Sequence, residues 1–208
     1  MHRLSQLLPG LLFLCIFIVD TTAAEDHPIP DEYVYCTVCH GTLFKGNIAT
    51  RAPKLTGLSA WYIESQLLAF RNGKRGNHVK DLAGLEMRPM AEMLSRNSVS
   101  RVSKLISALP SGLSIDTAAT SNDRGQYLYN SCGACHGADG RGSQQLNAPN
   151  LVVQDSWYLT TQLNSYRHNI RGINDNDITG LQMLNASSIL TSDQDVMDTV
   201  AYIKSLQN

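Results

Sequence analysis

Cys36-Thr37-Val38-Cys39-His40 has a second copy in the chain at Cys132-Gly133-Ala134-Cys135-His136. Two thiols about one helical turn apart can reach the two vinyl groups on one edge of a porphyrin, and the following histidine can point its imidazole at the iron. The pattern C-x-x-C-H is typical of covalent haem c attachment. Two copies predict two covalently bound haem c groups, attached at Cys36, Cys39, Cys132 and Cys135, with His40 and His136 as iron ligands.

Paired cysteines have other uses in proteins. Four cysteines in an oxidising compartment could form disulfides, and a C-x-x-C pair could be a thioredoxin-like dithiol or half of a zinc site. A thioredoxin motif requires neither the following histidine nor a second copy. A zinc site made of all four thiolates would leave both histidines unexplained, whereas haem attachment accounts for all six residues.

The two motifs belong to a longer internal repeat. Adding 96 to each residue number from Cys36 to Leu94 aligns the chain with itself without a gap, and 20 of those 59 positions are identical. Trp61-Tyr62 matches Trp157-Tyr158, for example. A repeat of this length indicates duplication of a whole domain rather than a short solenoid repeat.

We expect four segments along the chain: a signal peptide over residues 1–24, a first domain over 25–112, a linker over 113–121 and a second domain over 122–208. The first segment has a short cationic start, an apolar run and small residues near Ala24, which is the pattern of a cleaved secretory signal. The apolar run is about 13 residues long, whereas a membrane span needs ~20. These features predict a periplasmic protein.

The overall charge excludes one large class of function. The 208 residues include 17 basic and 18 acidic side chains, and such a chain lacks the basic face that neutralises nucleic-acid phosphates. The charge is unevenly divided, with 11 basic and 8 acidic residues over 25–112 but 5 and 9 from residue 113 onward. We expect this asymmetry to steer the two domains toward different protein partners.

The apolar pattern predicts an all-α fold. Over residues 61–70 and 157–166 most large apolar side chains fall on one helical face, and strand signals are weak throughout. Gly73 and Gly76 are expected to stop the first of these helices, and Gly172 is expected to stop the second. A last helix is expected after Ser192, which is a suitable N-cap, and Met197 of this helix is expected in the hydrophobic core of the domain.

An electron-transfer haem needs both axial positions of its iron filled, and a methionine thioether favours the ferrous state. Each half offers a methionine 47 residues after its motif histidine, namely Met87 and Met183. The alternatives are Met90 and Met93, whose repeat partners cannot ligate, and the unrepeated His78 and His168.

The repeat also suggests which residues surround each haem. A ligating histidine donates its second ring N–H to an acceptor, and Pro53 and Pro149 can present backbone carbonyls for this purpose. The haem propionates need partners as well, although repeated arginines could instead form surface ion pairs. The repeated groups able to serve are Trp61, Tyr62, Arg71 and Arg75 in the first half and Trp157, Tyr158, Arg167 and Arg171 in the second.

These segments resemble the class I c-type cytochromes, and more closely the two-haem cytochrome c4 family of exported bacterial electron carriers. The resemblance rests on both C-x-x-C-H motifs, on residues 66–75 and 162–171, and on the segments around Met87 and Met183. It implies two tandem class I cytochrome c domains, His/Met ligation at both irons, propionates turned toward the domain interface, and electron transfer between the haems.

One segment departs from the family pattern. Residues 122–129 resemble the family's first helix, whose glycine, here Gly125, lets it cross the last helix closely. The matching position in the first half is Ile29, between Pro28 and Pro30, and a helix cannot run through those prolines. We therefore expect a short first helix in the first half and altered packing against the last helix there.

The resemblance predicts a periplasmic carrier of single electrons rather than an enzyme. Its donor would be a protein such as a quinol-oxidising complex and its acceptor a terminal oxidase or reductase, so the partners are membrane-bound redox proteins and the chain is soluble or peripheral at the membrane. Two alternatives stay open. One is a cytochrome subunit of a periplasmic dehydrogenase, and the other is a dihaem enzyme, a peroxidase or a sulfur-compound dehydrogenase, which would need an open axial site.

Overall fold

Eight α-helices make up most of residues 29–112 and 120–207, which are the residues described by the computed structural model. The predicted signal peptide and most of the predicted linker lie outside these residues. The first half contains α1 (Asp31–His40), a 3-10 turn (Ile48–Thr50), α2 (Ala60–Arg71), α3 (Leu82–Glu92) and α4 (Arg96–Ala108). The second half contains α5 (Asp123–His136), α6 (Ser156–Arg167), α7 (Ile178–Ser187) and α8 (Asp193–Ser205). The described residues form no strand, and the all-α prediction is confirmed.

Each half encloses its own hydrophobic core. In the first half α2 packs against α3 and α4, and Phe44 and Val99 are fully buried in the core. In the second half α8 packs against α5 and α6, and Val196 is fully buried. Val153 of the second half also packs against the core of the first half.

The first helices of the two halves differ as the prolines predict. Helix α1 has 10 residues and begins directly after Pro30, whereas α5 has 14. Helix α5 packs closely on α8, where a Cβ added to Gly125 would lie 2.2 Å from the carbonyl oxygen of Asp198. In the first half α4 packs chiefly against α2, and Tyr33 of α1 donates a hydrogen bond to the carbonyl of Ser98 at 3.4 Å.

The last helix begins where the sequence predicts. Ser192 Oγ accepts a hydrogen bond from Asp195 N at 3.1 Å, and the Asp195 carboxylate accepts one from Ser192 N, which completes a capping box. Val196 and Ile203 are buried. The expectation that Met197 lies in the core is wrong, because this residue lies beside the buried face and is 48% exposed.

The end of α6 corrects a second expectation. Helix α6 ends at Arg167, and Asn169, rather than Gly172, adopts the left-handed conformation there with φ of 55°. Asparagine tolerates this conformation at a helix end. Gly172 has a different role, since a Cβ at this position would lie 2.3 Å from the carbonyl oxygen of Gly180 in α7.

Candidate functional site

A cavity of about 340 Å³ extends across both halves of the molecule. Its walls include apolar side chains of both cores, such as Leu67 and Leu163. Both motifs and both candidate methionines also line it, namely Cys36, Cys39, His40 and Met87 from the first half and Cys132, Cys135, His136 and Met183 from the second. The repeat therefore places two equivalent sets of cysteine, histidine and methionine side chains on the walls of one cavity.

The two motif histidines have nearly identical surroundings. His40 ends α1 and His136 ends α5, and in each the ring Nδ1 lies 2.9 Å from a backbone carbonyl, that of Pro53 or Pro149. Burial lowers the pKa of both imidazoles, so each is neutral and donates its Nδ1–H to that carbonyl. This hydrogen bond fixes the tautomer and leaves Nε2 as the nitrogen that can bind a metal.

The cysteines are arranged for attachment rather than for thiolate chemistry. Cys36 and Cys132 are half-buried, Cys39 and Cys135 are exposed, and no disulfide joins these four. Burial raises the pKa of the Cys36 and Cys132 thiols, which is opposite to the lowered pKa of a reactive dithiol. Within the described residues, no three His, Cys, Asp or Glu side chains form a group that could hold a metal ion.

The methionine candidates differ in burial. Met87 of α3 and Met183 of α7 are half-buried and pack against the core of their own half. Met90 also lines the cavity and is 37% exposed, whereas Met93 is 71% exposed and lies outside the cavity wall. The alternatives His78 and His168 lie outside the wall as well, and His78 Nδ1 accepts a hydrogen bond from Lys80 N.

The helices that carry Met87 and Met183 begin at a repeated aspartate that the sequence analysis did not single out. Asp81 Oδ1 accepts a hydrogen bond from Gly84 N at 2.9 Å, and Asp177 Oδ1 accepts one from Gly180 N at 3.0 Å. These caps fix the first turn of each helix beside the cavity. The aspartate is identical in both copies of the repeat, and this identity is the sequence signal that could have revealed the two caps.

Arg75 and Arg171 also line the cavity. Within its own half, Arg75 Nη1 donates to Gln66 Oε1 at 2.8 Å and Arg171 Nη1 donates to Gln162 Oε1 at 2.5 Å. Arg75 Nη2 also donates to the hydroxyl of Tyr158 in the other half at 2.9 Å. The Nε atoms of both arginines are buried and have no hydrogen-bond partner among the described residues. The two glutamines were missed as site residues, although both are repeated.

The other predicted partners of the propionates divide into two groups. Tyr62 and Tyr158 line the cavity and are held edge-on by their tryptophan neighbours, with ring centroids 5.6 Å apart in both pairs. Trp61, Trp157, Arg71 and Arg167 do not line it. Arg71 donates instead to the carbonyls of Glu92 and Leu94, and Arg167 pairs with Asp193 at 2.5 Å, so both arginines tie helices together.

A second set of contacts joins the halves and breaks the repeat. Gln154 Nε2 donates to the carbonyl of Lys54 at 2.7 Å, and the buried Lys204 donates to the carbonyl of Gln154 at 2.6 Å. Lys54 is itself buried and donates to the carbonyl of Gly112, where the first half ends. The repeat partners of these side chains differ in type, so self-alignment of the sequence does not reveal this contact.

These walls fit a haem in each half. The four cysteines face the cavity in pairs beside a neutral histidine with an available Nε2, and each half adds a methionine thioether to the same cavity wall. The two unpartnered guanidinium Nε donors would otherwise carry the cost of a buried, unsatisfied polar group, and carboxylate groups on the occupant would satisfy them. The donor set and the orphaned donors thus both match a porphyrin that carries propionates.

Comparison with known proteins adds three findings. The family model for cytochrome c matches residues 122–207. The thiosulfate dehydrogenase electron acceptor of Stutzerimonas stutzeri (strain A1501) is 33% identical over 159 residues, which are 70% of this chain and 68% of that protein. Two solved structures share the fold.

Reduced recombinant cytochrome c4 from Pseudomonas stutzeri matches with a TM-score of 0.63 and 23% identity over 83% of this chain and 94% of that one. Thiosulfate dehydrogenase from Marichromatium purpuratum, in its as-isolated form, matches with a TM-score of 0.62 and 26% identity over 82% of this chain but only 36% of that one. The first match confirms the predicted fold of two tandem class I cytochrome c domains.

Proposed function

This chain belongs to the two-haem cytochrome c4 family and carries covalently bound haem c for electron transfer, and we propose that it accepts single electrons from a dehydrogenase that oxidises a reduced sulfur compound. The observation that carries this proposal is the likeness to an electron acceptor of thiosulfate dehydrogenase over two thirds of that acceptor's length. The proposal narrows the general respiratory donor that the sequence predicts. A terminal oxidase or reductase remains the proposed acceptor.

The residues of the cavity divide the work of holding the cofactors. Cys36 and Cys39 would attach the first haem, and Cys132 and Cys135 would attach the second. His40 and Met87 would bind the iron of the first haem, and His136 and Met183 would bind that of the second. When bound, each haem iron supplies reversible one-electron transfer. The carbonyls of Pro53 and Pro149 orient the histidine rings, and the apolar walls exclude water from the ligands.

The rim of the first half is the proposed docking surface for the donor. Val38 is 73% exposed and Ile48 is 65% exposed. Val38 directly precedes Cys39, and Ile48 begins the 3-10 turn that ends at Thr50. Thr50 Oγ1 donates a hydrogen bond of 2.7 Å to the Cys39 carbonyl, and both Cys39 and Thr50 line the cavity. The matching residues of the second half are Ala134 and Gln144, so only the first half presents large apolar side chains at these two positions.

Exchange of these rim residues tests the proposal. We expect the double variant Val38→Ala/Ile48→Gln, which gives the first half the residues of the second, to slow reduction by thiosulfate and purified thiosulfate dehydrogenase about tenfold. Stopped-flow absorbance of the haems measures this rate. The matched variant Ala134→Val/Gln144→Ile should react like the wild type, and ascorbate should reduce all three proteins equally fast.

The same experiment can contradict the proposed electron donor and the proposed docking surface. If thiosulfate and its dehydrogenase leave the wild-type haems oxidised while ascorbate reduces both, the chain is a carrier with a different donor. If both double variants slow the reaction equally, the docking surface is not specific to the first half.

A subunit of a larger dehydrogenase is the second candidate. It is favoured by the match to the Marichromatium purpuratum enzyme, in which a region of this size is only 36% of the chain. Affinity purification from cells grown on thiosulfate distinguishes the two, since a subunit would elute in a stable stoichiometric complex with its dehydrogenase and a carrier would elute alone.

Export to the periplasm is part of the proposed function. It is supported by the pattern of residues 1–24, and no helix within the described ranges is long and apolar enough to span a bilayer. Intact-mass spectrometry of the protein from the periplasmic fraction should give a chain that begins at Glu25 and carries two haem c groups. A chain that retains residues 1–24 would contradict the proposed cleavage.

A further inference from the structure

Four repeated residues close a ring of hydrogen bonds across the boundary between the halves. In addition to its contact with Arg75, Gln66 Oε1 accepts a hydrogen bond from Arg171 Nη2 at 2.8 Å. Gln162 Oε1 likewise accepts from Arg171 and, at 3.1 Å, from Arg75 Nη2. A carboxamide oxygen has two lone pairs, and here each is used by a guanidinium group from a different half.

The ring concentrates positive charge at the boundary between the two halves. The Arg75 guanidinium carbon lies 4.5 Å from the centre of the Phe70 ring, and that of Arg171 lies 4.8 Å from the centre of the Tyr166 ring. Burial raises the pKa of Tyr166 to about 12, so its hydroxyl stays neutral. Among the described residues, neither arginine forms an ion pair with a carboxylate. Two half-buried cations therefore lie together with only neutral protein partners.

We propose that Gln66 and Gln162 are positioning residues that join the two guanidinium groups into one electrostatic unit shared by both haem sites. Each glutamine holds both arginines, so a change at one glutamine displaces or neutralises charge in both halves. The unpartnered Nε atoms leave each guanidinium one donor for an anionic group in the cavity. This inference requires a haem in each half but does not depend on the identity of the electron donor.

A charge placed in the ring tests the sharing. Gln66→Glu keeps the size and one acceptor oxygen but adds a negative charge beside both arginines, which stabilises the oxidised state of nearby haems. At a fixed ambient potential we expect the oxidised-to-reduced ratio of both haems to rise about tenfold, equivalent to ~59 mV for a one-electron couple. Gln162→Glu should give the same result. Potentiometric titration followed by the separate haem-methyl NMR signals measures each haem.

The controls place the same charge on the same helices, outside the ring. Ser65 and Thr161 are exposed neighbours of the two glutamines and occupy matching positions of the repeat. Ser65→Glu and Thr161→Glu should move both ratios much less, because solvent and salt screen an exposed charge.

One pattern would overturn the proposal: Gln66→Glu shifts only the haem of the first half and Gln162→Glu only that of the second. If the glutamate variants fail to fold, Gln66→Asn retains the amide but shortens its reach, and the NMR signals of both haems must move together. A shift confined to one haem, or no shift at all, would again contradict a shared unit. Failure of the proposed donor to reduce the wild type would leave this test unaffected.

Discussion

The two halves place equivalent residues around the cavity but hold their helices together in different ways. In the second half α5 crosses α8 closely at Gly125, and Arg124 of α5 pairs with Asp195 of α8 at 2.8 Å. In the first half α1 starts only after Pro30, and Tyr33 makes a longer hydrogen bond of 3.4 Å to α4. Phe44 is fully buried in the first core, whereas the matching residue of the second half is a glycine.

The contact of the motif histidine is insensitive to this difference. The distance from the histidine Nδ1 to the proline carbonyl is 2.9 Å in both halves. The segment between the motif and the proline is closed in each half by one isolated β-bridge. This segment therefore fixes the position of the histidine ring. We expect the crossing of the first and last helices to contribute stability instead. The predictions that follow test this division, beginning with the largest expected effect.

Substitution at the helix crossing should affect the second half strongly. The added Cβ of Gly125→Val would lie 2.2 Å from the Asp198 carbonyl oxygen, so α5 and α8 must separate. We expect a loss of about 3 kcal/mol in the free energy of unfolding of the second half, measured by guanidinium denaturation followed at each haem. Ile29→Val, at the matching position of the first half, should cost only about 0.5–1.5 kcal/mol. Equal losses would show that both halves depend on this crossing.

Replacement of the axial methionines should affect the halves equally. Met87→His and Met183→His should each lower the potential of their own haem by on the order of 100 mV, because a second imidazole favours the ferrous state less than a thioether does. Redox titration in the visible region measures both. Met90→Leu and Met93→Leu should have no effect, and a lowered potential in Met90→Leu would make Met90 the ligand.

The wild type should bind no carbon monoxide at either haem, unlike an enzyme with an open axial site.

The stability of the two halves should depend differently on pH in acidic solution. Hydrogen bonds from Arg124 and Thr191 hold the pKa of Asp195 well below its usual range, and the matching residue at the start of α4 is Ser98. Since folding lowers this pKa, the carboxylate stabilises the second half fully above its unfolded pKa of about 3.9, and the effect is lost as the pH falls from there through the folded value.

We therefore expect the second half to lose more stability than the first as the pH is lowered below about 4. Thermal unfolding between neutral and acidic pH, followed at each haem, checks this expectation. Asp195→Asn should be less stable at neutral pH and should remove the difference in pH dependence. A variant with the pH dependence of the wild type would assign the effect to other carboxylates.

The smallest effect is expected at an ion pair that only the first half has. Arg51 and Glu86 lie 2.6 Å apart on the surface, and both are well exposed. Their repeat partners, Asn147 and Gln182, are neutral. Glu86→Gln makes the first half resemble the second, and we expect a change of about 0.5 kcal/mol or less in thermal unfolding, further reduced by salt. A loss of several kcal/mol would mean that this pair, rather than the core, holds α3 in place.

Local and repeated patterns predicted most of the fold. The C-x-x-C-H motifs, the N-cap at Ser192 and the short α1 after Pro30 each depend on a few neighbouring residues, whose chemistry is specific enough to interpret directly. The family resemblance then supplied the arrangement of two tandem domains, which no local pattern contains. Met197 was misplaced because an apolar residue beside a buried stripe looks like part of it.

The contacts between the halves were the least predictable part of the site. Gln66 and Gln162 are repeated, but an amide serves equally well on a surface, so identity alone did not reveal their role. Lys54, Gln154 and Lys204 are brought together by the tertiary fold from positions 50 or more residues apart. Arg71 and Arg167 show the converse case, since a repeated arginine near a haem motif can tie two helices together, which is the alternative that the sequence left open.

The ring of glutamines and arginines also bears on how the chain arose. Gln66 contacts Arg171 while Arg75 contacts Gln162, which is the reciprocal pairing of a closed homodimer with a two-fold axis. A one-domain ancestor with this glutamine and this arginine would have had every group needed to pair with its own copy. Tandem fusion of two such subunits keeps that dimer contact within a single polypeptide, where it no longer depends on protein concentration.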